Sequence, residues 1–416
     1  MNGYQAHAGV KFTATMMMAA LFGMALTNLF VRSSMGVLAP ELASDLDLSP
    51  FILGAIASAF FFAYALFQIP GGMLLDRFGP RSVIVGLFFF TALGTLAFSF
   101  APNGITMLIA RVVMGIGCAA IFSGAFMLIT RFYPSDRLTS IAGSMNSFAM
   151  LGMLLATFPL AYLVTVIGWR DGFTLIAIAA LVLTAFSAFV IRDWPDAPQT
   201  TGTSDENLHQ IFDGVREALK TRNVLKISSA GISLSTGSLF LGLWGGPYLY
   251  DVHSLTETER GEVLMFMAFG GVTGHFLFGR MARVLNTLKG IVLFGSGLAT
   301  GVMGIMALWM DPSRLTVTLL FVVLGFACGF PSILLAHARA IMPDRLIGRG
   351  IAVVNTGIMI SIALMQTAVG IIINFSAGPG LAPDAESYQL VFSFLAVMAF
   401  ASFLIYASVD DQPPRI

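Results

Sequence analysis

Charge is scarce in this sequence: only 11% of its 416 residues are charged, and 22 basic residues against 22 acidic ones leave no net charge. Soluble domains carry about 25% charged residues, which excludes a single soluble core. Without a basic excess there is no electrostatic footprint for a nucleic acid, and no such partner is expected. Cysteine is nearly absent. Cys118 and Cys328 both lie inside apolar runs, so neither a disulfide framework nor a cysteine-based metal site can be built. There is no HExxH, no GxSxG and no P-loop, which leaves enzyme chemistry without support and removes direct driving by ATP. No catalytic residue, cofactor or metal is expected.

Apolar residues are abundant, at 57%, with 37 Phe, 43 Gly and 23 Met. One helical crossing of a bilayer needs about 20 consecutive apolar residues. Such runs recur at 12–38, 51–75, 82–100, 104–130, 138–166, 172–191, 226–250, 261–282, 288–310, 315–338, 349–374 and 388–408. The fold class is therefore an all-α membrane protein with twelve spans. The first run is too long and uninterrupted for a cleaved signal peptide, and it is expected to stay in the mature chain.

With the N-terminus placed in the cytoplasm, seventeen of the 22 Lys and Arg fall in inside loops, and only Arg170, Arg260 and Arg314 fall in outside ones. This asymmetry predicts a multi-pass protein of the cytoplasmic (inner) membrane with both termini in the cytoplasm. The polar stretch 193–225 reads as a cytoplasmic linker carrying a short interfacial helix near Leu208–Lys220,. It separates a six-helix bundle at 1–192 from a second at 226–416.

The two bundles repeat each other's punctuation. Pro134 is followed twelve residues later by Asn146, and Pro343 twelve residues later by Asn355. Gly72-Met-Leu-Leu-Asp76-Arg77-Phe-Gly79-Pro-Arg81 matches Gly279-Arg-Met-Ala-Arg283-Val-Leu-Asn286-Thr-Leu-Lys289 at an offset of 207. Parallel six-helix repeats suit a transporter that rocks one half against the other around a midplane site.

The segment Gly72-x-x-x-Asp76-Arg77-x-Gly79-x-Arg81 resembles the inside-loop motif of the major facilitator superfamily. Arg111-Val-Val-Met-Gly115-Ile-Gly117 and Gly168-Trp169-Arg170 are similar to further motifs of that family. The resemblance implies two pseudo-symmetric six-helix bundles, with Gly72, Asp76, Arg77, Gly79 and Arg81 controlling the gate. In the second copy Arg283 stands where the aspartate would be, which weakens a symmetric lock. A narrower resemblance runs from Asn28 through Val31-Arg32 to Pro40, and from Phe60 to Gln68-Ile-Pro70-Gly71-Gly72. It is to the organic-anion (anion:cation symporter) branch, in which an arginine of the first helix binds the substrate's negative charge. Arg32 occupies that position, and Tyr64 and Gln68 match cavity-lining positions.

Ionisable groups inside spans are costly and functional by default. Arg32 presents a rigid fork suited to carboxylate or phosphate, on the same helix face as Asn28; the alternative is an arginine snorkelling to the headgroups. Arg111 is a coupling candidate or a packing residue. Every Asp and Glu can be assigned to a loop, the linker, a tail or a span end. The organic-anion resemblance implies proton-carrying acids just before Arg32 and seven residues after Arg111, yet Val31 and Cys118 stand there. Carboxylate-based proton symport is thereby in doubt, leaving His275 as a second coupling candidate, another ion, or exchange. His337 reads as an interfacial group. Asn146, Asn355 and Gln366 are polar cavity candidates, as are Trp244 and Tyr248 in a Gly-rich stretch where span seven is expected to unwind.

The leading expectation is a secondary or facilitated transporter of a small carboxylate-type anion working by alternating access in the direction of uptake. It is expected to act as a monomer in the lipid bilayer, with H+ or another ion as the open coupling partner. The second reading is an exporter of a drug, siderophore or other amphiphilic metabolite, for which the Phe- and Met-rich interior would serve.

Overall fold

In lipid only a helix satisfies every backbone N–H and C=O within its own segment, and each long apolar run is helical in the computed structural model, which describes residues 8–133, 135–192, 208–309, 312–378 and 383–413. Pro134 and the 193–207 part of the expected linker lie outside the described residues.

The first bundle contains α1 (Ala8–Ser33), α2 (Met35–Leu46), α3 (Pro50–Phe78), α4 (Pro80–Ser99), α5 (Gly104–Cys118), α6 (Ile121–Phe132), α7 (Ser135–Leu155) and α8 (Phe158–Val190). After the connecting helix α9 (Leu208–Lys220), the second contains α10 (Val224–Leu239), α11 (Gly245–Asp251), α12 (Glu257–Val284), α13 (Lys289–Leu308), α14 (Arg314–Ala327), α15 (Pro331–Ile341), α16 (Ile347–Ser376) and α17 (Ala385–Ala407). Several spans are built from two helices: α1–α2 form the first, α5–α6 the fourth, α10–α11 the seventh and α14–α15 the tenth. Spans five and six meet at Gly168, whose φ of 79° is a left-handed conformation that favours glycine,. Twelve spans return the chain to the face it started from, here called the near face; the other is the far face.

Three expectations need correcting. The first span does not end near residue 38 but continues through α2 to Leu46, so Glu41 and Asp45 are helix residues rather than loop acids. Arg260, expected in an outside loop, lies in the first turn of α12 and is 1% exposed. The seventh span does not unwind at its glycines; it widens into a single π-helical turn over Phe240–Trp244 and resumes as α11. Such π turns keep the backbone hydrogen-bonded while shifting the helix face.

The outer surface is apolar, as a lipid-facing surface must be: Phe189, Leu308 and Phe375 are 80%, 88% and 81% exposed,. Between the bundles the helices approach closely through small residues. A Cβ on Gly36 of α2 would stand 2.0 Å from the Leu241 carbonyl oxygen, and one on Gly246 would stand 1.9 Å from the Gly36 oxygen. Pro40 lacks the N–H that would otherwise bond the carbonyl four residues back, that of Gly36,. The first and seventh spans therefore touch backbone to backbone in their far-face halves. The loop repeat is also visible in the backbone: Gly79 and its counterpart Asn286 both turn at positive φ, 79° and 51°.

Candidate functional site

The site begins at the break between α1 and α2. Val31 lies one turn before it, and its carbonyl accepts from the Ser34 hydroxyl (3.0 Å) and from Arg111 Nη1 of α5 (2.9 Å). One turn away along the same seam, Asn28 Nδ2 donates to the Cys118 carbonyl at 2.9 Å. These bonds fix the first and fourth spans against each other. They also commit Asn28 to backbone, although it was expected to bind substrate.

Arg32 is the residue next to Val31. Its guanidinium lies 5.1 Å from the Phe61 ring centroid, and Arg111's lies 4.7 Å from that of Phe60. The two rings are neighbours on α3, with centroids 5.5 Å apart, and their π-faces hold the cations. Arg32 is half-buried and has no hydrogen bond or ion pair among the described residues. Arg111 is 1% exposed, and its Nε and Nη2 have no partner. Tyr64 stacks on Phe60, one turn of α3 before Gln68. Gln68 Oε1 in turn accepts from the Thr356 hydroxyl of α16 at 3.2 Å, which joins the two bundles.

On the second bundle, Gln366 of α16 is fully buried, with neither amide atom bonded. Its Nε2 is 3.9 Å from where a Gly242 Cβ would be, and the Arg32 carbonyl oxygen is 4.0 Å from the same point. Gln366 and Arg32 thus flank one glycine gap. Asn355, two turns or more nearer the other end of α16, is half-buried with its amide unpaired among the described residues. Asn146 of α7 donates to His275 Nε2 of α12 at 3.2 Å, and the Ser332 hydroxyl lies 2.8 Å from the same nitrogen.

Trp244 and Tyr248 belong elsewhere. Trp244 is 1% exposed, its Nε1 is unbonded, and it lines a separate cavity of about 750 Å³ at the far face with Asp47, Tyr250, Asp251, Asn374 and Tyr388. Tyr248 packs in an aromatic cluster with Phe321, Tyr388 and Phe392, and its hydroxyl meets His253 at 3.1 Å. Arg32 does not line that cavity.

The expected gating residues sit at the near ends of α3 and α4. Asp76 and Arg77 are exposed, Arg77 lies over Phe78 at 5.4 Å, and Arg81 donates to the Ala188 carbonyl at 3.0 Å. Gly72 faces open space. His337, expected at the membrane interface, is fully buried, and it meets the Tyr406 hydroxyl at 2.6 Å and the Asp410 carbonyl at 3.1 Å.

Sequence reading missed Phe60 and Phe61 as cation platforms, Thr356 and Ser332 as partners, and the buried pair between Glu41 and Arg260. Consecutive phenylalanines opposite two arginines were the one available signal; a threonine or serine in an apolar helix gives none.

The chain shares its architecture with solved transporters. It superposes on an inward-facing, unoccupied bacterial homologue of the human lysosomal transporter Spinster with a TM-score of 0.76 at 18% identity, covering 97% of each chain. It superposes on a D-xylose–proton symporter with a TM-score of 0.74 at 16% identity, covering 97% of this chain and 98% of the other. In sequence it is 26% identical to a probable sulfoacetate transporter of Cupriavidus necator, over 92% of this chain and 91% of that one. It is 26% identical to a probable galactarate/D-glucarate transporter of Escherichia coli over 64% and 66%, and 24% identical to a hexuronate transporter of Bacillus subtilis over 69% and 72%. The profile of the Major Facilitator Superfamily matches residues 20–366. A twelve-span chain with this fold, these loop motifs and that match is a transporter rather than an enzyme, and it belongs to the Major Facilitator Superfamily.

Proposed function

We propose that this protein carries a small organic anion across the cytoplasmic membrane, in the direction of uptake, with the near face and both termini in the cytoplasm. The observation that carries the reading is Arg32: a half-buried guanidinium in the first span, without an acceptor or acid among the described residues. A charge kept inside a span without a partner is a standing site for an opposite charge, and a guanidinium fork matches a carboxylate. The relatives it resembles, a probable sulfoacetate transporter, a probable galactarate/D-glucarate transporter and a hexuronate transporter, all take organic anions.

The substrate enters between the bundles, pairs with Arg32, and favours the conformation that encloses it because it binds that conformation better. Tyr64, Gln68 and Gln366 line its path, with Asn355 further along α16. The near-face loop of Gly72, Asp76, Arg77, Gly79 and Arg81 controls opening toward the cytoplasm. Coupling does not run through an acid beside Arg32 or Arg111, since Val31 and Cys118 occupy those positions.

Thermal unfolding of the purified protein against a panel of carboxylates, sulfonates, siderophores and cationic dyes tests this. A ligand that binds only the folded state, at 100 times its Kd, adds about 2.7 kcal/mol. Stabilisation by a small anion should vanish in Arg32→Ala and persist in part in Arg32→Lys, which keeps the charge and loses the fork. Stabilisation only by bulky amphiphiles, equal in all three proteins, would make Arg32 structural and the protein an exporter.

A further inference from the structure

We propose that the ligand of the Arg32 site is a dianion: a small molecule with two ionised acid groups, dicarboxylate or sulfonate–carboxylate. This rests on the anion reading above and sharpens it from the sign of the charge to its number.

The site holds two cations, not one. Arg111 Nη1 is bonded to the carbonyl of Val31, the residue next to Arg32, and the two guanidiniums lie over neighbouring rings of α3. Among the described residues neither is paired with an acid. Arg32 has no polar partner among the described residues, and Arg111 has one backbone carbonyl for its whole fork, leaving Nε and Nη2 buried and unmatched.

Among the described residues, the side chains that the structure places against the pair are the Phe60 and Phe61 rings and Tyr64, with Asn28 one turn before Val31, and none of them is an acid. Glu41 stands nine residues beyond Arg32, about 13 Å along the helix, and is committed to Arg260. Asp76 stands eight residues beyond Gln68, exposed at the near end of α3. At the far face the same fold does pair its arginines: Arg260 with Glu41, Arg170 with Asp45, and Arg314 with Glu259 and Glu262. Among the described residues, the pairing rule for buried charge is therefore broken at both of these neighbouring arginines.

A monoanion on Arg32 would neutralise one charge and leave Arg111 uncompensated in a low-dielectric region. A dianion neutralises both, with one acid group in the Arg32 fork and the other set against Arg111. The empty carrier then bears two unmatched charges at this level and the loaded carrier none.

The test compares ligands matched in size but not in charge: succinate with its monoamide succinamate, and glucarate with gluconate, at pH 7.5, by calorimetry or thermal shift on the wild-type protein. Each dianion should bind about tenfold tighter than its partner or better, a difference of about 1.4 kcal/mol. Arg111→Gln should erase that ratio by weakening the dianion more than the monoanion, and Arg111→Lys should keep it. Equal affinities within each pair, or a ratio untouched by Arg111→Gln, overturns the dianion. The wild-type ratio needs no variant, so a misfolded Arg111 substitution cannot protect the proposal. Binding that survives Arg32→Ala instead overturns the anion site itself, a different result from binding that is lost in Arg32→Ala but indifferent to the second charge.

Discussion

Glu41 on α2 and Arg260 on α12 form an ion pair that joins the two bundles at the far end of their interface. Arg260 is 1% exposed and Glu41 18%, and Arg260 Nη1 also donates to the Leu255 carbonyl at 3.2 Å. Glu257 of α12 adds a second tie by accepting from Thr165 of α8 at 2.8 Å. Removing one member of a buried pair strands the other, at a cost of about 3–5 kcal/mol, whereas replacing both by apolar groups is far milder. Glu41→Leu and Arg260→Leu should each lower the unfolding temperature sharply, and the double variant should recover most of the loss. A double-mutant cycle by thermal unfolding reads this out; additive losses would mean that the pair contributes nothing as a pair.

Gly36 and Gly246 allow the first and seventh spans to touch backbone to backbone. Gly36→Ala would push a methyl into the Leu241 carbonyl, and overpacking of this kind typically costs about 1–3 kcal/mol. The first and seventh spans meet at this contact, so Gly36→Ala should favour their separation. Alkylation of a cysteine introduced at Ala39, which lines the far-face cavity and is buried, should become faster from the far face. An unchanged rate would show that the helices accommodate the methyl without opening.

His275 receives a hydrogen bond from Asn146 across the bundle interface and has the Ser332 hydroxyl beside the same nitrogen. This arrangement makes the imidazole a bridge between the two bundles. His275→Leu should therefore slow transport while leaving the shape of its pH profile intact. A profile that flattens in the variant would make His275 the proton carrier.

Asp411 supplies the acid that the second loop repeat lacks. Its carboxylate accepts from the Thr287 hydroxyl at 2.5 Å and from the Lys289 N–H at 2.9 Å, so it caps the first turn of α13 from the C-terminal tail,. Burial pushes its carboxyl up, but the bonds from Thr287, Lys289 and Gln412 and the nearby His337 outweigh it and hold the pKa below the ordinary aspartate value. A depressed carboxylate contributes stability above its unfolded pKa, about 4, and loses it as pH falls through the folded value. Asp411→Ala should lower the unfolding temperature modestly at pH 7, with the gap to wild type closing in acid. A gap that persists at pH 3 would mean that the side chain acts by packing instead of charge.

The class of protein was legible because bilayers impose a one-dimensional rule: a crossing needs a run of apolar residues, and apolar runs can be counted. The punctuation of those runs gave the repeat, and the positive φ of both Gly79 and Asn286 is its physical counterpart. Arg32 and Arg111 could be singled out because charge inside a span is rare enough to notice. Their shared carbonyl, their neighbouring phenylalanines and their lack of acids depend on how α1, α3 and α5 meet, and no local pattern encodes a meeting.

Errors followed the same boundary. Glu41 and Arg260 looked like loop charges because hydropathy ends where charge begins, yet two opposite charges on different helices can extend both helices by burying each other. Trp244, Tyr248 and Gln366 are all polar-tipped residues in apolar helices and read alike in sequence. Packing alone sets the Gln366 amide at the glycine gap behind the Arg32 carbonyl, Trp244 at the edge of the far-face cavity and Tyr248 among aromatics. The sequence by itself determined that this chain crosses a membrane twelve times and carries two arginines inside its spans. The tertiary structure decided which charges are paired with an acid and, among the described residues, which are not, because pairing depends on distances between helices far apart along the chain.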